Sequence, residues 1–174
     1  DRTIGGSMWD WGSNVVATPD GGTILTGYFF SWDGDGAGNR GDYDYAAVKL
    51  NARGEREWSR MFGGAHDDFA QGAVMLEDGS FLISGGSVSD DGDVHENRGN
   101  FDLWLIRVSP NGELLSSRTY GGSAYDISSP GGSDYYVSAP GGALIRSRDG
   151  GVIVAAASKS SDGDVASSGG KTDA

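Results

Sequence analysis

The chain of 174 residues contains no cysteine, only 4 prolines and only 2 histidines. Without cysteine it can form no disulfide framework, no thiolate zinc site, no iron–sulfur cluster and no cysteine nucleophile. No apolar run approaches the roughly 20 residues that a membrane-spanning helix requires. The first six residues also lack the pattern of a signal peptide. The composition therefore predicts a soluble chain without membrane insertion, whose export signal, if any, has been removed or lies outside it.

Positive charge is also scarce. The 13 lysines and arginines are outnumbered by 25 aspartates and glutamates, which gives a formal net charge of −12 at pH 7. Nucleic acid binding depends on clustered basic side chains that displace counterions from phosphates, so this charge argues against nucleic acid as a partner and in favour of cations. Glycine, in contrast, is abundant at 31 residues, and internal repeats are therefore the first pattern to look for.

The sequence repeats with a step of 58 residues. Each repeat begins with an apolar residue and a Gly-Gly pair, and an aspartate follows four residues after the pair. The pairs are Gly5-Gly6, Gly63-Gly64 and Gly121-Gly122, and the aspartates are Asp10, Asp68 and Asp126. We predict three units, at residues 1–58, 59–116 and 117–174.

The third unit departs from this step. Asp149-Gly150 follows Asp78-Gly79 by 71 residues instead of 58. The additional residues fall in a segment rich in glycine, serine and proline, which predicts a loop insertion near 127–142. Because of this insertion, residue 174 precedes the third strand of the unit, so we expect the third unit to be truncated at its C-terminus.

Short apolar runs separated by turn residues indicate that each unit is a set of strands. In the first unit the runs are 15–17, 23–30, 45–50 and 57–62. Four runs of strand length and no helical period predict a four-stranded antiparallel meander, which has the size and strand number of a β-propeller blade. A sandwich or solenoid is the alternative, because a period does not fix closure. Three units are too few for a propeller of about 4–8 blades, so we expect a fragment, further repeats or another chain completing the ring.

The order of the landmarks within a unit resembles that of a known class of repeats. In the second unit it reads Phe62-Gly63-Gly64, Asp78-Gly79-Ser80, Ser89-Asp90-Asp91-Gly92-Asp93, Gly99, Asp102–Val108 and Asn111-Gly112. This pattern resembles the propeller-like repeats of bacterial secreted and cell-surface proteins. The resemblance implies an all-β, propeller-like fold and a secreted or cell-surface location. It implies no particular activity, since the biochemical role of such repeats is mostly unassigned.

One acidic loop in each unit carries the residues best suited to bind a metal ion. Carboxylates recur at its first, third and twelfth places, with an amide or hydroxyl oxygen at the seventh. The predicted ligands are Asp33, Asp35, Asn39 and Asp44; Asp91, Asp93, Asn97 and Asp102; and Asp162, Asp164, Ser168 and Asp173. Ca²⁺ takes about 6–8 oxygen ligands, and crowded carboxylates favour a neutralising cation, so the loops predict calcium sites. The alternative is that they are turns in which Asp caps backbone N–H groups.

The aspartates that follow the Gly-Gly pairs also have two interpretations. They are placed to reach a metal ion or a substrate, but short polar side chains in turns usually bond to nearby backbone. We therefore expect Asp10, Asp68 and Asp126 to bind backbone amides where strands begin.

The sequence favours an extracellular structural or adhesive module that binds calcium, with cell-surface or matrix glycans or proteins as partners. The alternative is a lectin-type propeller in which Trp32, next to Asp33, stacks on a sugar. A glycoside hydrolase is less favoured, because nothing selects two of the many carboxylates as an acid pair. His66 and His95 occupy different positions in their units, and we predict no catalytic residue. Trp58 and Trp104 fall in predicted strands and are expected to pack in the core.

Overall fold

The computed structural model describes residues 2–126 and 143–165. It contains strands β1 (Asp10–Ala17), β2 (Thr23–Phe29), β3 (Asp44–Leu50), β4 (Arg56–Phe62), β5 (Asp68–Met75), β6 (Phe81–Ser87), β7 (Asp102–Val108), β8 (Leu114–Tyr120), β9 (Ala143–Arg146) and β10 (Val152–Ala155). A single 3₁₀ turn covers Gly34–Gly36. Among the described residues, no helix is long and apolar enough to cross a membrane.

The strands form two four-stranded antiparallel sheets and a hairpin. The sheets have the meander orders β1-β2-β3-β4 and β5-β6-β7-β8, and β9 pairs with β10. The predicted all-β class is thus confirmed, and so are four-stranded antiparallel sheets for the first two units. Over 2–126 and 143–165 these sheets are separate and no closed ring is present.

The third hairpin repeats the pairing of the second with a displacement of 71 residues. Met75 pairs with Phe81 in the second unit, and Arg146 pairs with Val152 in the third. β9 and β10 therefore correspond to β5 and β6. The predicted insertion near 127–142 and the predicted ligands Ser168 and Asp173 lie outside the described residues.

Asp-Gly turns connect the first two strands of each unit. The backbone φ angles of Gly21, Gly79 and Gly150 are +79°, +82° and +88°, in the left-handed region that glycine enters without a Cβ clash. The carboxylate of Asp20 accepts hydrogen bonds from the Gly22 amide and the Thr18 hydroxyl. Asp78 accepts the Ser80 amide in the second unit in the same way. The sequence signal for these turns is thus both the glycine and the aspartate.

The main hydrophobic core lies between the first two sheets. Ile24, Tyr45 and Ala47 of the first sheet pack with Ile83 and Trp104 of the second. The Tyr45 hydroxyl also donates a hydrogen bond of 3.1 Å to the Trp104 carbonyl. Trp104 is fully buried, as expected from its place in a strand. Since the first two units each bury one face against the other, their stability depends on their stacking.

Candidate functional site

The acidic loop of each unit folds onto the Gly-Gly segment of the same unit, which in the first two units leads into the first strand. Four consecutive backbone amides there donate to three carboxylates and one serine hydroxyl. In the second unit these bonds are Gly63 N to Asp93 Oδ2 (3.3 Å), Gly64 N to Asp68 Oδ2 (2.9 Å), Ala65 N to Asp91 Oδ1 (2.7 Å) and His66 N to Ser89 Oγ (3.1 Å). We call this set of four bonds the amide clamp.

The amide clamp recurs in all three units with equivalent partners. In the first unit Gly5, Gly6, Ser7 and Met8 donate to Asp35, Asp10, Asp33 and Ser31. In the third unit Gly121, Gly122, Ser123 and Ala124 donate to Asp164, Asp126, Asp162 and Ser160. Asp10 and Asp68 thus bind backbone amides at the first residues of β1 and β5, which confirms the prediction for these two residues. Asp126 likewise accepts the Gly122 amide, but the residues that follow it directly lie outside the described ones.

Glycine is required in the amide clamp because the carboxylates pack directly on its backbone. A Cβ atom at Gly63 would lie 2.3 Å from Asp44 Oδ1 and 2.6 Å from Asp68 Oδ2. A Cβ atom at Gly64 would lie 2.2 Å from Asp91 Oδ1. Real Cβ atoms do not approach oxygen this closely, so the Gly-Gly pair is the sequence signature of the clamp.

The last carboxylate of the first loop and that of the second loop contact the next unit. Asp44 Oδ2 accepts the Arg40 amide at 2.8 Å, while Asp44 Oδ1 lies against Gly63 of the second unit. Asp102 accepts the Arg98 amide at 3.0 Å and lies against Gly121 in the same way. Within the described part of the chain, Oδ1 of Asp44 and of Asp102 is buried and accepts no hydrogen bond. The junction between units therefore contains carboxylates of both.

Burial of these carboxylates changes their acidity. Loss of solvent around Asp44 raises its pKa to about 6, and burial raises the pKa of Asp68 to about 7. Both side chains are fully buried, and an oxygen of each lies within 2.6 Å of the position that a Cβ atom of Gly63 would occupy. An uncompensated charge is costly at such a site, so both carboxyl groups keep their protons to a higher pH than an exposed aspartate does.

Arginines of one unit form ion pairs with the loop of the next. Arg40 Nη1 lies 2.6 Å from Asp93 Oδ2 and also donates to the Gly63 carbonyl at 3.0 Å. Arg98 Nη1 lies 2.8 Å from Asp164 Oδ2. The sequence pattern did not lead us to predict a role for these arginines or for the serines of the clamp. Their recurrence at the step of the repeat, Arg40 with Arg98 and Ser31 with Ser89, is the signal that would have found them.

The four predicted calcium ligands of the first loop bind four different backbone groups. Asp33 and Asp35 accept the amides of the clamp and Asp44 accepts the Arg40 amide. Asn39 instead donates from Nδ2 to the Phe29 carbonyl at 2.9 Å. In the second loop Asn97 likewise donates to the Ser87 carbonyl at 3.0 Å. In residues 2–126 and 143–165 no group of three or more acidic or histidine side chains is arranged to hold a metal ion.

Several aromatic rings lie at the same end of the sheets as the acidic loops. Trp32 is 61% exposed and directly precedes the clamp residue Asp33. Nearby, Trp11 stacks on Tyr28 with ring centroids 5.7 Å apart, and Tyr28 packs edge-on against Phe69 of the second unit at 4.9 Å. Trp32 is therefore an accessible aromatic side chain within the loop connection, directly beside a clamp carboxylate.

The chain matches no protein-family model and no curated protein sequence. A function for it is therefore inferred from the geometry of the site.

Proposed function

We propose that this chain is an extracellular structural and adhesive module of propeller type, built from blades that are locked to one another. The observation that supports this proposal is the amide clamp, which recurs three times with the same four bonds. Each clamp fixes the loop of one unit to the segment arriving from the preceding unit, and Arg40 and Arg98 extend the connection. The extracellular setting rests on the resemblance to bacterial secreted and cell-surface repeats.

The geometry favours this role over hydrolysis. Asp44 and Asp68 are an acid pair that the fold brings together, with one pKa near 6 and one near 7. Both side chains are fully buried against glycine, so a glycosidic bond does not reach them. Their contacts instead connect two units, which is a structural task.

Calcium binding by the acidic loops is the second part of the proposal. Carboxylates held within hydrogen-bonding distance of one short backbone segment concentrate negative charge, and Ca²⁺ prefers such oxygen ligands. If calcium binds only the folded chain, saturating Ca²⁺ should raise the melting temperature by about 5 °C or more, and EDTA should reverse the rise. Differential scanning calorimetry with elemental analysis of the purified chain makes this measurement.

A matched pair of variants separates a specific site from general screening of charge. Asp91→Asn removes a predicted ligand, whereas Asp90→Asn removes an equal charge from its exposed neighbour. Asp91→Asn should reduce the rise in melting temperature caused by calcium, and Asp90→Asn should leave it unchanged. A melting curve that calcium does not alter, with no metal in the sample, would show that the loops act as amide clamps alone.

The exposure of Trp32 favours carbohydrate binding as a second candidate function. An indole ring stacks on the apolar face of a sugar, and the neighbouring carboxylates accept bonds from its hydroxyl groups. Trp32→Ala should weaken binding to any glycan recognised on an array by about tenfold, which corresponds to about 1.4 kcal/mol. Leu115→Ala is the control, because Leu115 is 51% exposed but lies near the start of β8, at the end of the sheet away from the acidic loops. Equal losses in both variants, or no glycan binding at all, would refute this candidate.

A further inference from the structure

One pair of residues beside the amide clamp differs from unit to unit. The residue before the aspartate that follows each Gly-Gly pair accepts, through its carbonyl group, the amide of a residue that follows the second strand. The bonds run from Phe30 to Trp9 (2.9 Å), from Val88 to Asp67 (3.1 Å) and from Lys159 to Tyr125 (2.7 Å). Residues that face each other across antiparallel strands have side chains on the same face of the sheet. We call these two residues the variable pair of a unit.

The variable pair of the third unit contains a cation. The Nζ atom of Lys159 lies over the ring of Tyr125, 5.4 Å from the ring centroid. The negative face of an aromatic ring attracts a cation at such a distance. This position of the fold therefore accommodates an ammonium group, which in the third unit the chain itself supplies.

The variable pair of the second unit contains an anion instead. Asp67 Oδ1 is buried and accepts no hydrogen bond in the described part of the chain. Burial and the negative charge of Asp42, in the preceding unit, raise the pKa of Asp67, and the Tyr43 amide and the His66 imidazole only partly oppose this rise. Across residues 2–126 and 143–165, no lysine, arginine or histidine forms an ion pair with Asp42 or Asp67. Two neighbouring carboxylates thus lack a basic partner from the described residues.

Asp67 also borders a row of aromatic rings that crosses both internal junctions. Phe69 follows Asp67 by two residues and therefore lies on the same face of the sheet. Its ring centroid lies 5.4 Å from that of Tyr43 in the first unit and 5.7 Å from that of Phe101. Phe101 in turn lies 5.3 Å from Tyr125 of the third unit. All four rings are partly exposed, and we call them the aromatic row. The row that holds an ammonium group in the third unit thus continues to the carboxylate of the second.

We propose that the aromatic row at Asp67 is the docking site of a basic segment of a partner protein, with a lysine or arginine side chain of that segment beside Asp42 and Asp67. The partner then supplies to the second unit the cation that Lys159 supplies to the third. The formal net charge of −12 attracts such a segment. Ca²⁺ takes about 6–8 oxygen ligands, whereas only two carboxylates meet here. The site rests on the adhesive role proposed above and adds the chemistry of the partner.

A labelled peptide of alternating lysine and glycine, and the same peptide with acetylated lysines, test the site by fluorescence anisotropy at physiological ionic strength. The wild-type chain should bind the first peptide and not the second, because acetylation removes the positive charge. Asp67→Asn should raise the dissociation constant of the lysine peptide by about tenfold or more. Asp90→Asn is the matched control, because it removes an equal charge from an exposed residue of the same unit and should leave the dissociation constant unchanged.

Val88→Lys provides the decisive measurement, because it gives the second unit the residue type that the third unit has at this position. The new ammonium group faces Asp67 across the two strands, where opposite charges attract. It should therefore block binding of the lysine peptide without lowering the melting temperature. Leu115→Lys adds the same charge near the start of β8, at the opposite end of the sheet, and should not block binding.

Four results would each overturn the proposal. They are a wild-type chain that does not bind the lysine peptide or binds the acetylated one equally, equal losses in Asp67→Asn and Asp90→Asn, a Val88→Lys variant that binds as the wild type does, and displacement of the peptide by Ca²⁺ at constant ionic strength. None of these results bears on glycan binding at Trp32, so the site can fail while the adhesive role is tested separately.

Discussion

Gly64→Ala should lower the free energy of unfolding by about 3 kcal/mol, because the new methyl group overpacks the amide clamp and leaves buried polar groups unpaired. The Cβ atom would lie 2.2 Å from Asp91 Oδ1 and 2.6 Å from the Ser89 Cβ atom. To make room, the loop must move away from the backbone, which breaks the bonds to Asp91 and Ser89. Urea denaturation monitored by tryptophan fluorescence measures the loss.

The control substitution is Gly12→Ala. A Cβ atom at Gly12 would meet no atom within 4 Å, and the second unit has Ala70 at the equivalent position. We expect the free energy of unfolding to change by no more than about 0.5 kcal/mol, as for an open surface site. Similar losses for Gly12→Ala and Gly64→Ala would contradict the structural role given to the clamp.

The stability of the chain should fall as the pH rises from about 4 to about 7, and Asp68 should be the main cause. Burial raises its pKa from 3.8 to about 7, so in this range the folded chain holds a proton that the unfolded chain releases. Stability therefore decreases with pH until the folded carboxyl group ionises, and is constant above that point. A shift of this size corresponds to about 4 kcal/mol. Urea midpoints in EDTA at pH 5 and pH 8 measure about 3 kcal/mol of this, because at pH 5 the unfolded carboxyl group is already largely ionised.

Two asparagine variants test the assignment to Asp68. Asp68→Asn should remove most of the difference in stability between pH 5 and pH 8. Asp126 holds the same position in the third unit. Burial acts to raise its pKa, but hydrogen bonds from the Ser158 and Ser160 hydroxyls and from backbone amides outweigh burial, so the net pKa lies below its usual value. Asp126→Asn should therefore retain the decrease between pH 5 and pH 8. If both variants behave alike, the effect belongs to another group.

The sequence predicted the strands and turns because each depends on neighbouring residues. The Asp-Gly turns and the apolar runs of β2, β3 and β4 lie close to their predicted positions. β1 begins at Asp10, five residues before its predicted apolar run at Val15. Its first half lacks alternating polarity, and its register shifts between Gly12 and Asn14, where the Ser13 hydroxyl bonds to the Ala70 carbonyl of the next unit. The two residues are 57 positions apart in the sequence, so the local residue pattern did not indicate this contact.

The difference between local and distant contacts also explains which parts of the candidate site could be predicted from the sequence. The period identified every carboxylate of the clamps, because identical residue types recur at identical steps. It did not identify their partners, since Asp35 accepts the amide of Gly5, which is 30 residues away. The position of Asp44 against Gly63 and Asp68 depends on how two units pack, which no spacing within one loop describes. The calcium prediction assumed that the residues of a loop converge on one another.

The third amide clamp also shows where this chain tolerates new sequence. The bond from Ala65 to Asp91 closes a loop of 26 residues, whereas the equivalent bond from Ser123 to Asp162 closes one of 39. Because loop-closure entropy grows only with the logarithm of length, the longer loop costs about 0.4 kcal/mol more. The four bonds of the clamp are the same in both units, so the chain between their ends can lengthen at this small cost while the clamp is retained. A repeat of this kind keeps its closure constant while one segment varies in length and sequence.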